Sequence, residues 1–452
     1  MFDEKEILGW GQEHIRRKEY DQAVVILTRL IELNPKCTEA YFSCGHAYEE
    51  MGKFDQAIER YNTALKFMPK EATVYFRLGS AYMNKGELQK AIQEYDQAIH
   101  LRQDYAEAYF YRGKVHFLLG EMDPALDDYN KALEHTPHNP DVYNARGLVY
   151  IAQKRIDLAI EDYDKAIESD VNHVKAHGNR GNALEMNGDF DKAIDEYNKV
   201  IELNGEDYKA YMNRGYIFFK MEKFEQAIVD YTKAIELNPK NVKSLYCRGS
   251  VYARLNNTRR ALEDFDQAIY LAPKNTEAFI SRGLARLSLG DKTGALEDFN
   301  QAIHLEPNNT KAWYNRGIIH GKLGDLQQSL EDYTEVINRL PNDSPAYCYR
   351  GVVHTRMGNM KEAIEDYDKA IEIDSEYAIA FYNRGLVRRF QGQYKQAIQD
   401  FSQAILLDPT YVPAFQNRAV TFSMIGDKDQ AQHDMEHAER MVQRDLHKSA
   451  ID

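Results

Sequence analysis

The sequence predicts an all-α protein built from repeated helical hairpins. A 34-residue pattern recurs without insertion from residue 4 to residue 445, which gives thirteen units within the 452-residue chain. Hydrophobic residues make up 43% and charged residues 28% of the chain, a balance typical of a folded protein. A fixed period of this length indicates supersecondary units that stack to share a continuous core.

Each unit contains the pattern of two amphipathic helices. With Thr38 as position 1, apolar residues recur at positions 4, 7 or 10, and 11, and again at 17, 20, 21, 24, 27 and 28. Spacings of three and four residues place each set on one helical face. Glycine at position 15, as in Gly52, predicts the turn, and proline at position 32, as in Pro137, ends the second helix. The predicted repeats are 4–37, 38–71, 72–105, 106–139, 140–173, 174–207, 208–241, 242–275, 276–309, 310–343, 344–377, 378–411 and 412–445, with a tail at 446–452.

Small and aromatic residues recur at fixed positions of the unit. Glycine stands at position 8 in the first twelve units, and alanine stands at position 20 in every unit except the one that has Ser329. Together with aromatic residues at 4, 11 and 24, alanine at 27 and proline at 32, this pattern resembles the tetratricopeptide repeat over nearly the whole chain. The resemblance implies one right-handed α-solenoid superhelix of antiparallel helix pairs, in which first helices line a concave groove and second helices form the convex side.

The terminal units carry polar residues where the other units are apolar. Gln432 and Glu439 replace aliphatic residues at positions 21 and 28 of the last unit, and Glu6 and Glu13 stand at positions 3 and 10 of the first. Polar outer faces are what the end repeats of a solenoid need for solubility. We therefore expect a complete binding module without a separate catalytic domain.

An arginine and an acidic residue change together along the chain. Position 7 is arginine in units four to thirteen, and position 23 of the same units is always aspartate or glutamate, whereas units one to three have neither this arginine nor a regular acid. We expect structural ion pairs, since the guanidinium fork matches a carboxylate. The alternative is a row of anion-binding arginines, and the sequence leaves open whether each acid lies in the same or the adjacent unit. Representative predicted pairs are Arg146 with Asp162, Arg316 with Asp332, and Arg384 with Asp400.

The resemblance places positions 2, 5, 6, 9, 12 and 13 of the first helices on the groove wall. Asparagines recur at position 6, and their amides offer both a donor and an acceptor to an extended peptide backbone. This discontinuous row is similar to the asparagine ladder of the repeats attached to O-linked N-acetylglucosamine transferases. The alternative is a set of polar residues on a solvated face. The candidate peptide-binding asparagines are Asn179, Asn213, Asn315, Asn383 and Asn417.

Apolar and basic residues accompany the asparagines on the predicted groove wall. We expect the apolar residues to anchor a peptide if they are exposed and to pack between repeats if they are not, with units nine to thirteen as the favoured site. The lysines at position 2 are expected to steer an acidic partner segment, or only to solvate helix starts. The apolar candidates are Tyr314, Tyr382, Leu284, Ile318, Val352 and Leu386, and the lysines are Lys175, Lys209 and Lys243.

Several functional classes are disfavoured by the sequence. The formal net charge of -14 argues against a nucleic-acid binder. The N-terminus lacks a signal-peptide pattern, and no apolar run is long enough for a membrane span, so a cytoplasmic protein is expected. The lysines and arginine that cochaperone repeats use to clamp a chaperone's terminal carboxylate are absent. His433 and His437 share a metal-like spacing but lack a third ligand, so neither a metal nor another cofactor is expected.

The sequence therefore predicts a noncatalytic scaffold or adaptor that binds an extended peptide or protein segment in its groove. The alternative is a structural assembly protein that interacts, or self-associates, through its ends or its convex face. The partner and the oligomeric state are not determined by the sequence.

Overall fold

The computed structural model describes residues 3–448, with side chains described to residue 443. All regular structure in this range is α-helical and forms 26 helices. The chain divides into two compact units, Met1–Leu237 and Asn238–Asp452, here called the N-terminal and C-terminal units. The all-α prediction is confirmed. Residues 449–452 of the predicted tail lie outside the described residues, and residues 446–448 continue the last helix.

The N-terminal unit contains fourteen of these helices, two in each predicted repeat. In chain order they are α1 (Glu4–Arg16), α2 (Tyr20–Leu33), α3 (Thr38–Glu50), α4 (Phe54–Phe67), α5 (Ala72–Lys85), α6 (Leu88–Leu101), α7 (Ala106–Leu118), α8 (Met122–His135), α9 (Pro140–Ala152), α10 (Ile156–Ser169), α11 (Val174–Asn187), α12 (Phe190–Leu203), α13 (Tyr208–Lys220) and α14 (Phe224–Leu237).

The C-terminal unit contains the remaining twelve helices of the described range. They are α15 (Val242–Arg254), α16 (Thr258–Leu271), α17 (Thr276–Ser288), α18 (Lys292–Leu305), α19 (Thr310–Leu323), α20 (Leu326–Arg339), α21 (Ser344–Met357), α22 (Met360–Ile373), α23 (Ala378–Phe390), α24 (Tyr394–Leu407), α25 (Val412–Met424) and α26 (Lys428–Lys448). Within each unit every helix packs against the next one in the chain, so the helices form a stack of hairpins.

The turn inside each hairpin contains one residue in the left-handed backbone region. Nine glycines occupy it, and Lys18, Lys154, Glu222 and Asn256 adopt it at φ values of 57° to 61°. These four residues stand at position 15, where the other units have glycine. The turn geometry is therefore imposed by the repeat even where the residue does not favour it.

Close packing between the two helices of a hairpin requires a small residue at position 8. A Cβ atom on Gly147 of α9 would lie 2.5 Å from Cε1 of Tyr163 in α10, and Gly113 stands in the same relation to Tyr129 at 2.9 Å. Position 20 is equally confined, since Ala159 is fully buried. Where serine replaces this alanine, Ser329 donates a hydrogen bond to the carbonyl of Gly317 at 2.8 Å, which satisfies its buried hydroxyl.

Candidate functional site

The position-7 arginines lie between second helices of successive repeats. In the N-terminal unit, Arg146 of α9 donates from Nε and Nη2 to the two carboxylate oxygens of Asp162 in α10, both at 2.7 Å. The side chain of Asp162 is 3% exposed. The acid therefore belongs to the arginine's own repeat, sixteen residues later, which resolves the alternative that the sequence left open.

The same fork recurs in both units. In the C-terminal unit, Arg316 donates to Asp332 and Arg384 donates to Asp400, in each case with Nη2 at 2.6 Å from Oδ1. Burial disfavours the charged form of Arg146, but its hydrogen bonds to Asp162 and the charge of that carboxylate outweigh this effect and raise the pKa of the guanidinium. Because each of these arginines already has a buried carboxylate, the geometry favours the structural interpretation over an array that binds external anions.

The remaining guanidinium nitrogen makes a contact that the sequence reasoning missed. Nη1 of Arg146 donates to Oδ1 of Asn130 in α8 at 2.5 Å, and Nη1 of Arg316 donates to Oδ1 of Asn300 in α18 at 2.7 Å. The acceptor stands at position 25 of the preceding repeat, so one arginine connects three helices. The sequence indicates this contact through position 25, where the acceptor residues all have a short side chain with an oxygen atom. The acceptors are Asp96, Asn130, Asp164, Asn198, Asp266, Asn300, Thr334, Asp368 and Ser402.

The predicted groove asparagines donate hydrogen bonds within the protein. Asn315 of α19 donates to the carbonyl of Lys311 at 2.8 Å, and Asn383 of α23 donates to Sγ of Cys348 at 3.5 Å. Asn417 of α25 donates to the carbonyl of Pro413 at 2.8 Å. All are half-buried. Their amide oxygens accept no hydrogen bond within residues 3–443, so these asparagines present acceptors more readily than donors.

Two of the predicted asparagines are linked to others on neighbouring first helices. Asn179 of α11 donates to Oδ1 of Asn144 in α9 at 2.8 Å. Asn213 of α13 donates to Oδ1 of Asn182 in α11 at 3.1 Å, and the Tyr197 hydroxyl donates to the same oxygen at 2.7 Å. These bonds fix the side-chain orientations of four amides on three successive first helices.

A cleft of about 350 Å³ in the N-terminal unit brings these amides together with two of the predicted lysines. Gly178 of α11 opens it, because a Cβ at that position would meet only Cγ2 of Val200, at 3.9 Å. The corresponding residues of other repeats include Phe42, Phe76, Phe110 and Tyr246. The cleft is lined by Asn144, Leu148, Val174, Lys175, Gly178, Asn179, Asn182, Tyr197, Val200, Asp207, Lys209, Ala210 and Asn213.

The cleft contains four sequence-predicted residues, namely Asn179, Asn213, Lys175 and Lys209. Asn144 and Asn182 were missed because they stand at positions 5 and 9, where most other units carry aromatic or aliphatic residues. Both lysines are exposed and form no ion pair among the residues with described side chains. Lys243, the third predicted lysine, is also exposed and belongs to the C-terminal unit.

The tyrosines predicted as anchors pack largely against other rings. The Tyr314 ring lies 5.2 Å from that of Tyr349 and 5.6 Å from that of Tyr333, measured between centroids. The Tyr382 ring lies 5.0 Å from that of Tyr411. Burial raises the pKa of both Tyr314 and Tyr382. Packing within the repeat and, for Tyr314, against the next repeat therefore accounts for much of their surface.

The predicted aliphatic anchors differ in exposure. Leu284 of α17 is 45% exposed, whereas Ile318, Val352 and Leu386 are half-buried. All four lie on first helices of the C-terminal unit, namely α17, α19, α21 and α23. The preference for units nine to thirteen therefore stays a prediction.

Two other features bear on the predicted exclusions. Within the described residues, no three histidine, cysteine or acidic side chains are grouped as metal ligands would be. No helix between residues 3 and 448 combines the length and apolar character required to cross a bilayer.

Comparison with protein families identifies the repeat. Models described as the tetratricopeptide repeat match residues 208–241, 310–343, 344–377 and 378–411, residues 144–208, and residues 230–263. A further model described as the TPR repeat matches residues 49–86, 79–120, 113–154 and 283–324. Together the matches cover well over half of the chain. The chain belongs to the tetratricopeptide repeat family.

Solved structures similar to this tetratricopeptide repeat chain include three that differ in extent. One is YrrB, described as a TPR protein with an unusual peptide-binding site. The two sequences are 28% identical, the alignment covers 41% of this chain and 95% of the YrrB chain, and the TM-score is 0.36. A chain of the APC/C hetero-tetramer Cut9-Hcn1 is 14% identical, and the alignment covers 100% of this chain and 97% of that one, with a TM-score of 0.46. Yeast Tom70 is 20% identical, and the alignment covers 90% of this chain and 92% of the Tom70 chain, with a TM-score of 0.41. A search of curated proteins found no match.

Membership in the tetratricopeptide repeat family supports a general role as a protein-interaction scaffold. In the cleft on α9, α11 and α13, exposed cations, amides and open space coincide.

Proposed function

We propose that this protein is a noncatalytic adaptor that holds an extended peptide or protein segment against its first helices. The observation that carries the proposal is the cleft on α9, α11 and α13, in which side chains from three successive repeats line one space of about 350 Å³. A segment that crosses several repeats contacts each of them through equivalent positions, which suits an extended chain better than a compact ligand.

The chemistry of the cleft also supports a peptide. Amides oriented by their own hydrogen bonds present oxygen atoms and N–H groups that pair with a peptide backbone, largely independent of its sequence. Leu148 adds apolar surface, since it is 36% exposed. A few convergent polar groups on a partly apolar wall are common in ligand sites.

A substitution that fills the cleft tests the proposal. Peptides are first selected against the full-length chain from a random library, and their affinities are then measured by fluorescence anisotropy. Gly178→Phe places a ring in the open space and is expected to weaken binding at least about tenfold. Gly178→Ala is the matched control, because its added Cβ makes only a 3.9 Å contact, and it is expected to bind within about twofold of the parent.

Unchanged binding by folded Gly178→Phe protein would contradict the proposed site. Circular dichroism verifies the fold of both variants. In that case the second helices and the end hairpins become the interaction surfaces, as the assembly alternative predicts.

A further inference from the structure

From the charges around the cleft, we infer that it takes a segment rich in side-chain carboxylates, an inference that rests on the function proposed above. Lys175 and Lys209 are the second residues of α11 and α13, line the same cleft and are exposed. An acidic segment running across α11 and α13 would meet one lysine per repeat. The proposed ligand class is thus an extended acidic peptide.

The two lysines of the cleft differ in their pairing from several other lysines of the same unit. Elsewhere in the N-terminal unit, the exposed Lys131 and the half-buried Lys199 each lie within 3.0 Å of a glutamate three residues later. Lys175 and Lys209 have no such partner among the residues with described side chains. In a protein of net charge -14, two neighbouring unpaired lysines form a local positive site.

A third lysine, Lys114, lies close enough to Lys175 for the charge of Lys175 to affect its pKa. Lys114 of α7 is half-buried and stacks over the rings of Phe110 and Tyr111, at 5.5 and 5.0 Å from their centroids. Burial lowers the pKa of Lys114, and the charge of Lys175 lowers it further. The repulsion between these cations is relieved when a carboxylate binds between them.

Two acidic residues near these lysines, Asp207 and Asp141, already have partners within the protein. Asp207 uses its carboxylate to cap α13, accepting hydrogen bonds from the backbone N–H groups of Lys209 and Ala210 at 2.9 and 3.4 Å. Asp141 attracts Lys114 but lies 3.3 Å from the imidazole of His173. An external carboxylate therefore supplies charge that the protein does not.

The test uses the full-length protein and a labelled peptide of alternating glutamate and serine with acetylated and amidated ends. Blocked ends remove any contribution from a terminal carboxylate. A peptide with glutamine in place of glutamate is the neutral reference. We expect the glutamate peptide to bind about five to ten times more tightly than the glutamine peptide at about 50 mM salt, and this difference to shrink at about 300 mM.

Paired charge variants locate the effect. Lys175→Gln with Lys209→Gln is expected to bring the affinity for the glutamate peptide down to that for the glutamine peptide. Lys131→Gln with Lys199→Gln is the control, because it removes the same two positive charges from α8 and α12 instead of the cleft. This variant is expected to keep the preference for the glutamate peptide. All four lysines are at the surface, and circular dichroism checks that both variants fold.

The outcomes separate this inference from the proposed function. Equal affinity for the two peptides, with binding still lost in Gly178→Phe, would leave the peptide-binding cleft in place and overturn its acidic specificity. Failure of the glutamate peptide to bind also overturns the inference, even if library-selected peptides bind. A preference that survives in the Lys175→Gln, Lys209→Gln variant places the acidic site elsewhere and overturns it as well. If Gly178→Phe affects no peptide, the proposed site itself fails.

Discussion

At the scale of single residues, the buried arginine–carboxylate pairs make the chain sensitive to loss of one partner. Arg146 is held by Asp162 of its own repeat and by Asn130 of the preceding one. A buried pair contributes modest net stability when intact, because desolvation offsets the attraction, but an uncompensated buried charge is costly. We therefore propose that the pair mainly specifies how α8, α9 and α10 meet.

The first prediction concerns Asp162→Asn. Removal of the carboxylate leaves the Arg146 guanidinium without its counter-charge, and we expect the free energy of unfolding to fall by about 3–5 kcal/mol. Urea unfolding followed by circular dichroism measures the change. Asn130→Ala, which removes only the more exposed contact, serves as the control and is expected to cost about 1 kcal/mol. Equal effects of the two substitutions would show that the buried carboxylate has no special role.

At the scale of helices and turns, the repeat imposes the same geometry on residues that differ in their preferences. Lys154 has a φ of 61° at the turn between α9 and α10, where Gly188 has a φ of 86° in the next repeat. A side chain in the left-handed region costs about 1–2 kcal/mol relative to the right-handed one, and glycine avoids most of that cost.

We therefore expect Lys154→Gly to raise the free energy of unfolding by about 0.5–1 kcal/mol. Gly188→Ala is the converse substitution and is expected to lower it by about 1 kcal/mol, although a Cβ at Gly188 would meet no atom within 4 Å. Thermal unfolding of both variants measures the two changes. Stabilisation by alanine at Gly188 would contradict the assignment of strain to the backbone.

The contact between the helices of a hairpin gives a second prediction at this scale. Gly147→Ala brings its Cβ to 2.5 Å from Cε1 of Tyr163, so the helices must separate, and we expect a loss of about 1–3 kcal/mol. Gly9→Ala in α1 is the control, because nothing lies within 4 Å of its added Cβ. There, alanine is expected to stabilise the helix by up to about 1 kcal/mol. Denaturant midpoints of the two variants distinguish steric cost from helix propensity.

At the scale of the whole molecule, stacked hairpins transmit a perturbation chiefly to their neighbours. Within the N-terminal unit, α9 and α10 pack against α8 and α11 and have no comparable contact with α1 to α4. Stability in such a stack is approximately a sum of repeat and nearest-neighbour contributions.

Hydrogen exchange provides the corresponding prediction. In Asp162→Asn protein, backbone amides of α8 to α11 are expected to exchange at least about tenfold faster than in the parent, while those of α1 to α4 keep their rates. Mass spectrometry of proteolytic fragments resolves the two regions. A uniform increase across the N-terminal unit would indicate that the unit opens as one cooperative body.

The sequence by itself determined the fold class, the family and the association of each arginine with an acid. It did so because thirteen repeats show the same constraint at the same position many times. Examples are the glycine of position 8 beside the ring of position 24, the left-handed residue of position 15, and the arginine of position 7 that occurs only where position 23 is acidic. Patterns of this kind follow from local geometry, which a periodic sequence displays directly.

The tertiary structure decided which groups come together. Arg146 pairs with the acid of its own repeat, Asp162, and Asn130 of the preceding repeat completes the set. This choice of partners depends on how closely the helices approach, which spacing along the chain does not define. The cleft also depends on the missing side chain of Gly178, which leaves open a space at a position where several other repeats carry an aromatic residue. A binding surface is formed by residues from several repeats at once, so its shape and charge follow from packing rather than from the repeating pattern.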